Sequence, residues 1–382
     1  MLSPVVEQEV SDAVAGAEGP LRLVGGGTRP VGRPVTGEVL SVAGVSGIEL
    51  FEPGALTIVA RAGTPLAEIE AALAAENQRL PFEPMDLRGL LGTAGEPTIG
   101  GVVAANASGP RRIQAGACRD SLIGVRFVDG RGTVVKNGGR VMKNVTGYDL
   151  VKLMAGSWGT LGVLTEVSLK VQARPETEAT LVGRGLDLRA GVAALARALG
   201  SPWDITGAAH LDVGGETETL VRIEGLAASV DYRVGALLGA GFDGWEVLRG
   251  ADSAARWAAV RDVRAFAGDA VPVWRLSVKP GDAPAVAENL VARGVAHRGV
   301  YDWGGGLMWL AVETEAADAG AGVIRAVLAG VGGHATLVRG DEALRARIDV
   351  FQPESVPLAT LTRGIKQKFD PRGLLNPGLM GV

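Results

Sequence analysis

Two glycine-containing loops constrain this chain more than any other feature of its sequence. The first is Val24-Gly25-Gly26-Gly27-Thr28, which directly follows an apolar strand-like segment, and the second is Pro97–Gly109, which carries Gly100-Gly101 ahead of a run of small residues. Consecutive glycines let successive N–H groups turn towards an anion, because no Cβ stands in the way. We therefore predict that bare backbone approaches a bulky anionic ligand here. An ordinary turn at the first loop and tight helix packing at the second are the alternatives.

Length, charge and cysteine content limit the class of protein. With 382 residues the chain exceeds the usual span of one hydrophobic core, which predicts two domains. The net charge of −4 and the scattered basic residues argue against nucleic acid as a partner. Cys118 is the single cysteine, so no internal disulfide is expected, and the three histidines lie far apart, which predicts no metal site.

Targeting signals are also missing from the sequence. Glu7 and Glu9 stand where a signal peptide would carry basic residues. No stretch of about 20 uncharged apolar residues occurs, so we expect no transmembrane segment in the chain itself. Together with the cysteine usage, this predicts a cytoplasmic location.

Apolar periodicity predicts an α+β fold. Strands are predicted at 21–24, 57–62, 122–129, 133–136, 163–171, 271–278, 298–303, 306–313 and 335–339, and helices at 7–17, 66–77, 188–199, 253–264, 316–330 and 355–368. The polar segment Ala173–Glu178 is the first proline-bearing break after a long apolar region, so we place the main boundary there. Residues 178–340 alternate strands with helices, which predicts a mostly antiparallel sheet. In the last helix, Leu358, Leu361 and Ile365 share one face.

Other nucleotide sites and hydrolase sites are disfavoured. Gly25–Pro30 lacks the third glycine of the GxGxxG fingerprint, and no Gly-Lys-Ser/Thr occurs, so neither a Rossmann nor a Walker loop is present. Ala155–Gly159 is similar to a nucleophile elbow, but it begins with Ala and no nearby His pairs with it. A kinase, a nicotinamide-dependent dehydrogenase and a serine hydrolase are therefore poor interpretations.

The order of motifs along the chain resembles the vanillyl-alcohol oxidase family of flavoproteins. The matching segments are Val24–Thr28, Thr98–Gly101, Gly116–Val125, Val128–Gly132, Val141–Leu150, Gly156–Val163 and Phe369–Gly378. Within that family, Met142–Asp149 is similar to the FAD-binding subunits of bacterial glycolate oxidases. The resemblance implies a two-subdomain FAD-binding domain over residues 1–175, an α+β cap domain over 178–340, and a C-terminal return to the FAD domain over 341–382.

The same resemblance implies which residues hold FAD. The implied cofactor residues are Val24, Gly25, Gly26, Gly27, Thr28, Pro97, Thr98, Ile99, Gly100 and Gly101 around the pyrophosphate, Asn106 and Ser108 near the flavin or ribityl chain, Gly159, Gly162 and Val163 on the adenine side, and Asn376 closing the site. Where many relatives attach FAD through His or Cys, this chain has Arg29 and Glu96, which implies noncovalent FAD. We interpret Cys118 as a packed side chain.

Oxidation of a 2-hydroxy acid needs a cation for the carboxylate and a base for the hydroxyl proton. Arg275 and Arg339 are the candidates for the cation, because a guanidinium binds a carboxylate through paired hydrogen bonds. His334 is the candidate base, because the ordinary pKa of a histidine is about 6.5. A solvated arginine and a capping histidine are the alternatives for these residues.

A polar quartet, Lys143, Asn144, Tyr148 and Asp149, lies between two apolar strands. These residues either face the flavin or a subunit contact, or form a surface hairpin that turns at Gly147.

Three hypotheses for function follow. In the first, the chain is the FAD-binding subunit of a complex that oxidises glycolate to glyoxylate; the resemblance implies that its partners are a related flavin subunit and an iron–sulfur subunit, through which it would dock at the inner membrane. In the second, the chain binds FAD as a structural or electron-relay partner, which the scarcity of histidine favours. The third is an interaction scaffold without a cofactor.

Overall fold

The computed structural model describes residues 1–139 and 147–381. Its helices are α1 (Glu7–Ala15), α2 (Leu66–Ala75), α3 (Arg88–Leu91), α4 (Ile99–Ala104), α5 (Arg112–Ala115), α6 (Cys118–Ser121), α7 (Leu150–Met154), α8 (Leu188–Leu199), α9 (Ala227–Leu238), α10 (Gly250–Arg261), α11 (Ala283–Ala292), α12 (Ala321–Ala329), α13 (Glu342–Arg347) and α14 (Val356–Phe369). Its strands are β1 (Leu21–Val24), β2 (Glu38–Ser41), β3 (Ile48–Glu52), β4 (Thr57–Arg61), β5 (Gln78–Arg79), β6 (Leu122–Val128), β7 (Val134–Gly138), β8 (Val163–Lys170), β9 (Gln172–Ala173), β10 (Thr177–Arg184), β11 (Ile205–Val213), β12 (Glu216–Gly225), β13 (Glu246–Arg249), β14 (Val273–Ser277), β15 (Ala296–Asp302), β16 (Leu307–Glu313) and β17 (His334–Arg339).

The N-terminal part is built on a five-stranded antiparallel sheet in the order β3-β4-β8-β6-β7. Ile58 and Val59 of β4 are fully enclosed, as expected for a β-branched run in a sheet covered on both sides. Next to this sheet, β1 and β2 form a short parallel pair. The chain returns to this region near its end, where Leu375 bridges Leu21.

The second part is an eight-stranded sheet in the order β13-β10-β12-β11-β15-β16-β14-β17, with every neighbouring pair antiparallel. Helix α8 carries the stripe Val192, Leu195 and Ala198 onto this sheet. The predicted α+β class with mostly antiparallel sheets is confirmed. We propose the division at 1–175, 178–340 and 341–382 on this basis, since β10 begins the larger sheet at Thr177.

A buried network of ion pairs joins the two parts; we call it the interdomain ion network. Arg222 donates to both carboxylate oxygens of Glu83 at 2.9 Å. Arg111 donates to Glu224 at 2.9 and 2.5 Å, and Arg79 donates to the same carboxylate at 2.7 Å. Burial alone would raise the pKa of Glu224, but Arg222, Arg111 and Arg79 outweigh it and hold that pKa well below its ordinary value. The carboxylate of Glu224 is therefore charged near neutral pH.

Several elements differ from expectation: α10 spans Gly250–Arg261 instead of 253–264, and no range was predicted for β10, β11, β12, β13 or α9. Helix α12 begins at Ala321 rather than at 316, because the Asp318 carboxylate accepts hydrogen bonds from the N–H groups of Gly320 and Gly322 and caps the helix there. On α14, Leu358 and Leu361 are 48% and 61% exposed, so the shared apolar face is largely open. Lys366 instead anchors that helix, through the carbonyl oxygens of Thr160 and Leu375. In the part of the chain that the structure describes, no helix combines the length and apolarity needed to cross a membrane.

Candidate cofactor and substrate site

Both glycine loops line one cavity of about 330 Å³. The predicted cofactor residues that line it are Val24, Gly25, Gly26, Gly27, Thr28, Thr98, Gly100, Gly101, Gly159, Gly162, Val163 and Asn376. The turn after α7 and the C-terminal segment therefore meet the two loops around a single space. The candidates Pro97, Ile99, Asn106 and Ser108 are not part of the lining.

The first loop offers free hydrogen-bond donors to this cavity. Among the described residues, no hydrogen bond uses the backbone N–H of Gly25, Gly26, Gly27 or Thr28. Gly27 has φ +70°, a left-handed conformation that glycine adopts without a Cβ penalty. Consecutive unpaired N–H groups form a concavity that suits the oxygens of a pyrophosphate.

The glycines have two different roles. A Cβ at Gly26 would lie 1.6 Å from the carbonyl oxygen of Glu96, and one at Gly100 would lie 2.7 Å from the Cβ of Ala62, so these two glycines let protein segments pack together. At Gly101 a Cβ would meet only the Thr98 hydroxyl, at 3.2 Å, and at Gly27 only Val24, at 3.9 Å. Close packing explains why Gly26 and Gly100 are glycines, whereas Gly27 and Gly101 keep the cavity open.

The candidates outside the lining hold a neighbouring turn. The Ser108 hydroxyl accepts from the N–H of Cys118 at 2.9 Å, and the Asn106 side chain accepts from the N–H of Arg119 at 3.0 Å. Cys118 is fully buried, which raises the pKa of its thiol, as expected for a packed and unreactive side chain. Asn376 lines the cavity, but its amide is occupied: it accepts from Leu23 N–H at 2.8 Å and donates to the Trp158 carbonyl at 2.9 Å.

A second cluster lies on the eight-stranded sheet and joins two predicted catalytic residues; we call it the cationic cluster. It consists of Arg112, Arg275, Trp303 and His334. Arg275 pairs with Thr336 and Ser277 pairs with His334 across β14 and β17, so Arg275 and His334 share one face of the sheet. The guanidinium of Arg112 lies 4.2 Å from the ring centre of Trp303, and that of Arg275 lies 5.6 Å from it.

The charges in the cationic cluster are not balanced locally. Among the described residues, neither Arg112 nor Arg275 has a carboxylate within ion-pair distance. Burial, followed by the charge of Arg112, lowers the pKa of Arg275 to about 10, so it stays cationic near neutral pH. Partial desolvation, followed by the charges of Arg275 and Arg112, lowers the pKa of His334, although the residue as a whole is exposed. His334 is therefore neutral near pH 7 and able to accept a proton.

The cationic cluster does not line the cavity, but a hydrogen bond connects it to the second glycine loop. The indole N–H of Trp303 donates to the carbonyl of Gly109 at 3.0 Å. The structure therefore fixes the position of the guanidinium groups relative to the end of that loop.

Arg339 is not part of the cationic cluster. Its guanidinium donates to the carbonyl oxygens of Val271 at 2.8 Å, Leu90 at 3.0 Å and Phe266 at 2.6 Å. With three backbone acceptors, Arg339 has a structural role. It lies at the opposite end of β17 from His334.

The polar quartet is only partly described. Lys143 and Asn144 lie outside the described residues. Asp149 caps α7 by accepting from the N–H of Lys152 at 3.1 Å, and Tyr148 is 89% exposed. The structure therefore shows Asp149 as a helix cap and Tyr148 as a surface residue.

Sequence reasoning missed Arg112 and Trp303 as members of the site. Arg112 lies three residues after Gly109, the end of the second glycine loop, and next to Arg111; two adjacent arginines after a glycine loop could have indicated an anion site. Trp303 lies in the run Asp302-Trp303-Gly304-Gly305, whose glycines also indicate a close approach.

Comparisons with known proteins identify the class of protein as an FAD-binding flavoprotein. Residues 2–138 match the family model described as FAD binding domain. The glycolate oxidase subunit GlcE of Escherichia coli K12 is 36% identical over 382 residues, covering 98% of this chain and 95% of that protein. The chain belongs to the family of FAD-dependent oxidoreductases that includes subunit GlcE, which confirms the family resemblance seen in its sequence.

Other relatives match over shorter segments. The glycolate oxidase subunit GlcD of Bacillus subtilis is 44% identical over 85 residues, which is 22% of this chain and 18% of that protein. The mitochondrial D-2-hydroxyglutarate dehydrogenase of Rattus norvegicus is 36% identical over 155 residues, or 40% of this chain and 28% of that protein. A solved alkyldihydroxyacetonephosphate synthase is 17% identical with a TM-score of 0.70, covering 98% of this chain and 75% of that one, and shows the fold alone.

Proposed function

We propose that this chain is the FAD-binding subunit of a glycolate oxidase complex and that it oxidises glycolate to glyoxylate. The observation that carries this proposal is the row of unpaired N–H groups at Gly25–Thr28 facing a cavity, with an unbalanced pair of guanidinium groups held close to the second loop. The first feature suits a dinucleotide and the second suits a small carboxylate. The similarity to subunits GlcE and GlcD supports glycolate as the 2-hydroxy acid.

We propose that FAD is held without a covalent link. By the resemblance, Arg29 lies in the neighbourhood where many relatives carry a linking histidine, and its guanidinium donates to the carbonyl of Met85 at 2.6 Å. Among the described residues that line the cavity, none is a histidine or a cysteine. Hydrogen bonds and the shape of the cavity then provide the whole affinity for the cofactor.

The residues of the cationic cluster have separate roles in the proposed reaction. When bound, FAD would supply the acceptor for the hydride that leaves the substrate carbon, which carries the two electrons. Arg112 and Arg275 bind the carboxylate of the substrate, with the ring of Trp303 holding both planar groups in place. Neutral His334 accepts the proton of the substrate hydroxyl.

We further propose a related flavin subunit and an iron–sulfur subunit as partners, in the cytoplasm and docked at the inner membrane through those partners. The names of the relatives as oxidase subunits support an assembly of this kind. A second candidate role, an FAD-binding structural or electron-relay subunit, is favoured by one observation: Arg275 and His334 do not line the cavity.

Anaerobic reduction of the bound flavin separates these roles. We expect glycolate or D-lactate to bleach the flavin of the isolated chain, because the cationic cluster binds the substrate within this chain. The measurement is the flavin absorbance band after mixing, with the reconstituted complex as the reference. Bleaching only in the complex would contradict the catalytic role and select the relay role.

Replacing Gly101 by Val tests the cofactor site. A Val side chain would extend into the cavity, because nothing but the Thr98 hydroxyl lies near a Cβ at this position. We expect loss of bound flavin, measured in the supernatant after acid precipitation, whereas Gly54→Val, with open space around its Cβ, should retain it. Full occupancy in the Gly101 variant would refute the site, and flavin retained on the wild-type pellet would refute noncovalent binding.

A further inference from the structure

Arg345, on α13, is one of the residues that line the cofactor cavity from the C-terminal segment. One of its nitrogens donates to the carbonyl oxygens of Pro30 at 2.9 Å and Gly32 at 3.0 Å, and its Nε donates to the carbonyl of Gly340 at 3.2 Å. Three neutral backbone acceptors therefore fix the orientation of the guanidinium without cancelling its charge.

The charge of Arg345 has no acidic partner among the described residues, in contrast to that of a neighbouring arginine. Arg33 also lines the cavity, but it forms an ion pair with Asp349 at 2.9 Å. The remaining nitrogen of Arg345 donates no hydrogen bond within the described part of the chain. Because Arg345 lines the cavity with this nitrogen unused and no carboxylate of the described residues within ion-pair distance, its position suits an anionic ligand.

Arg345 also holds the first glycine loop. Its acceptors Pro30 and Gly32 follow directly after the unpaired N–H groups of Gly25–Thr28. From the other side, the N–H of Arg33 donates to the carbonyl of Leu379 at 3.0 Å. The continuation of the loop is thus held between α13 and the end of the chain, which sets where the free donors point.

We infer that Arg345 binds the pyrophosphate of the dinucleotide and positions the loop that cradles it. This inference rests on the proposed cofactor site and adds a residue far outside the matched segment 2–138. The ligand chemistry is a diphosphate diester or diphosphate, recognised by one fixed guanidinium together with backbone N–H groups.

The test is a titration of the full-length apoprotein with FAD, followed by the quenching of flavin fluorescence, with ADP and adenosine as competitors. For Arg345→Met we expect about 10- to 100-fold weaker binding of FAD and ADP, the usual effect of removing a hydrogen bond to a charged group. Adenosine, which has no phosphate, should compete as well as it does with the wild type. Arg345→Lys should recover part of the loss, because it restores the charge but not the planar contacts.

Arg347→Met is the matched control, since Arg347 lies on the same helix, donates to the carbonyl of Ala317 and does not line the cavity. It should bind FAD as the wild type does. Unchanged FAD affinity in Arg345→Met, or an equal loss for ADP and adenosine, would overturn the inference. A wild-type chain that binds no FAD would overturn the cofactor site as well. Thermal unfolding of each apoprotein checks that the variant is folded. If Arg345→Met does not fold, the test is Arg345→Lys: the inference requires that its affinity for ADP falls more than its affinity for adenosine.

Discussion

Replacing Glu224 by Gln is expected to lower the free energy of unfolding by about 3–5 kcal/mol, the usual cost of breaking a buried ion pair from one side. The substitution keeps the size of the side chain but removes the charge that Arg111 and Arg79 share. The side chain of Arg111 is 3% exposed, so without Glu224 its charge depends on Glu83, whose carboxylate lies 3.2 Å away. The measurement is chemical denaturation near pH 7.

The control is Glu288→Gln. Glu288 accepts two hydrogen bonds from Arg189, like the buried carboxylates, but both partners are more than half exposed. Exposed pairs contribute about 0–1 kcal/mol, so a small change is expected. Equal changes in the two variants would contradict a special contribution from the interdomain ion network.

The destabilisation caused by Glu224→Gln should depend on pH in a definite direction. The pKa of Glu224 is lowered in the folded chain, so its stabilising contribution is present above its ordinary pKa of 4.5 and is lost as the pH falls below that value. The difference in the free energy of unfolding between the wild type and Glu224→Gln should therefore become smaller at acidic pH.

Replacing Arg275 by Met is expected to reduce kcat/KM for the 2-hydroxy acid by about 100-fold, because one of the two groups proposed to bind the carboxylate is removed. Stability should stay the same or rise, because the variant no longer desolvates an unpaired cation. The acid limb of the pH–rate profile should also move to higher pH, since Arg275 helps to lower the pKa of His334. Steady-state kinetics of the assembled complex and thermal unfolding provide the measurements.

Arg298→Met is the matched control for Arg275→Met. The guanidinium of Arg298 also lies over an aromatic ring, that of Phe266, but it is paired with Asp269 and Glu313. We expect nearly wild-type kinetics and a small loss of stability. A destabilised Arg275 variant with unchanged kcat/KM would show that Arg275 serves only the packing of the sheet.

Local patterns predicted some of the elements but missed others, among them β11, β12 and α9, and they did not predict what surrounds an element. Helix α8 was recognisable because its burial follows the helical period, strand β4 because it is a short continuous apolar run, and the glycine loops because their composition is unusual. The face shared by Leu358 and Leu361 was equally visible, but periodicity does not tell whether another element covers a face. Both leucines are exposed.

The site depended on contacts between distant segments. Arg222 and Glu83 are 139 positions apart, and Arg345 meets Pro30 across 315 positions. Nothing in the neighbourhood of either residue indicates its partner. For the same reason Arg339 and Arg275, both on strands of the same sheet, were equivalent candidates until the backbone acceptors of Arg339 distinguished them.

The interdomain ion network also bears on how such a chain can be divided in experiments or in evolution. A fragment ending near residue 175 would keep Glu83, Arg79 and Arg111 but lose Arg222 and Glu224, leaving a carboxylate and two arginines without their main partners. It would also lack Arg345, Asn376 and Leu379 from the wall of the cavity. The N-terminal sequence alone is therefore not a transferable cofactor-binding module. Grafting it onto another protein would require the eight-stranded sheet and the C-terminal segment as well.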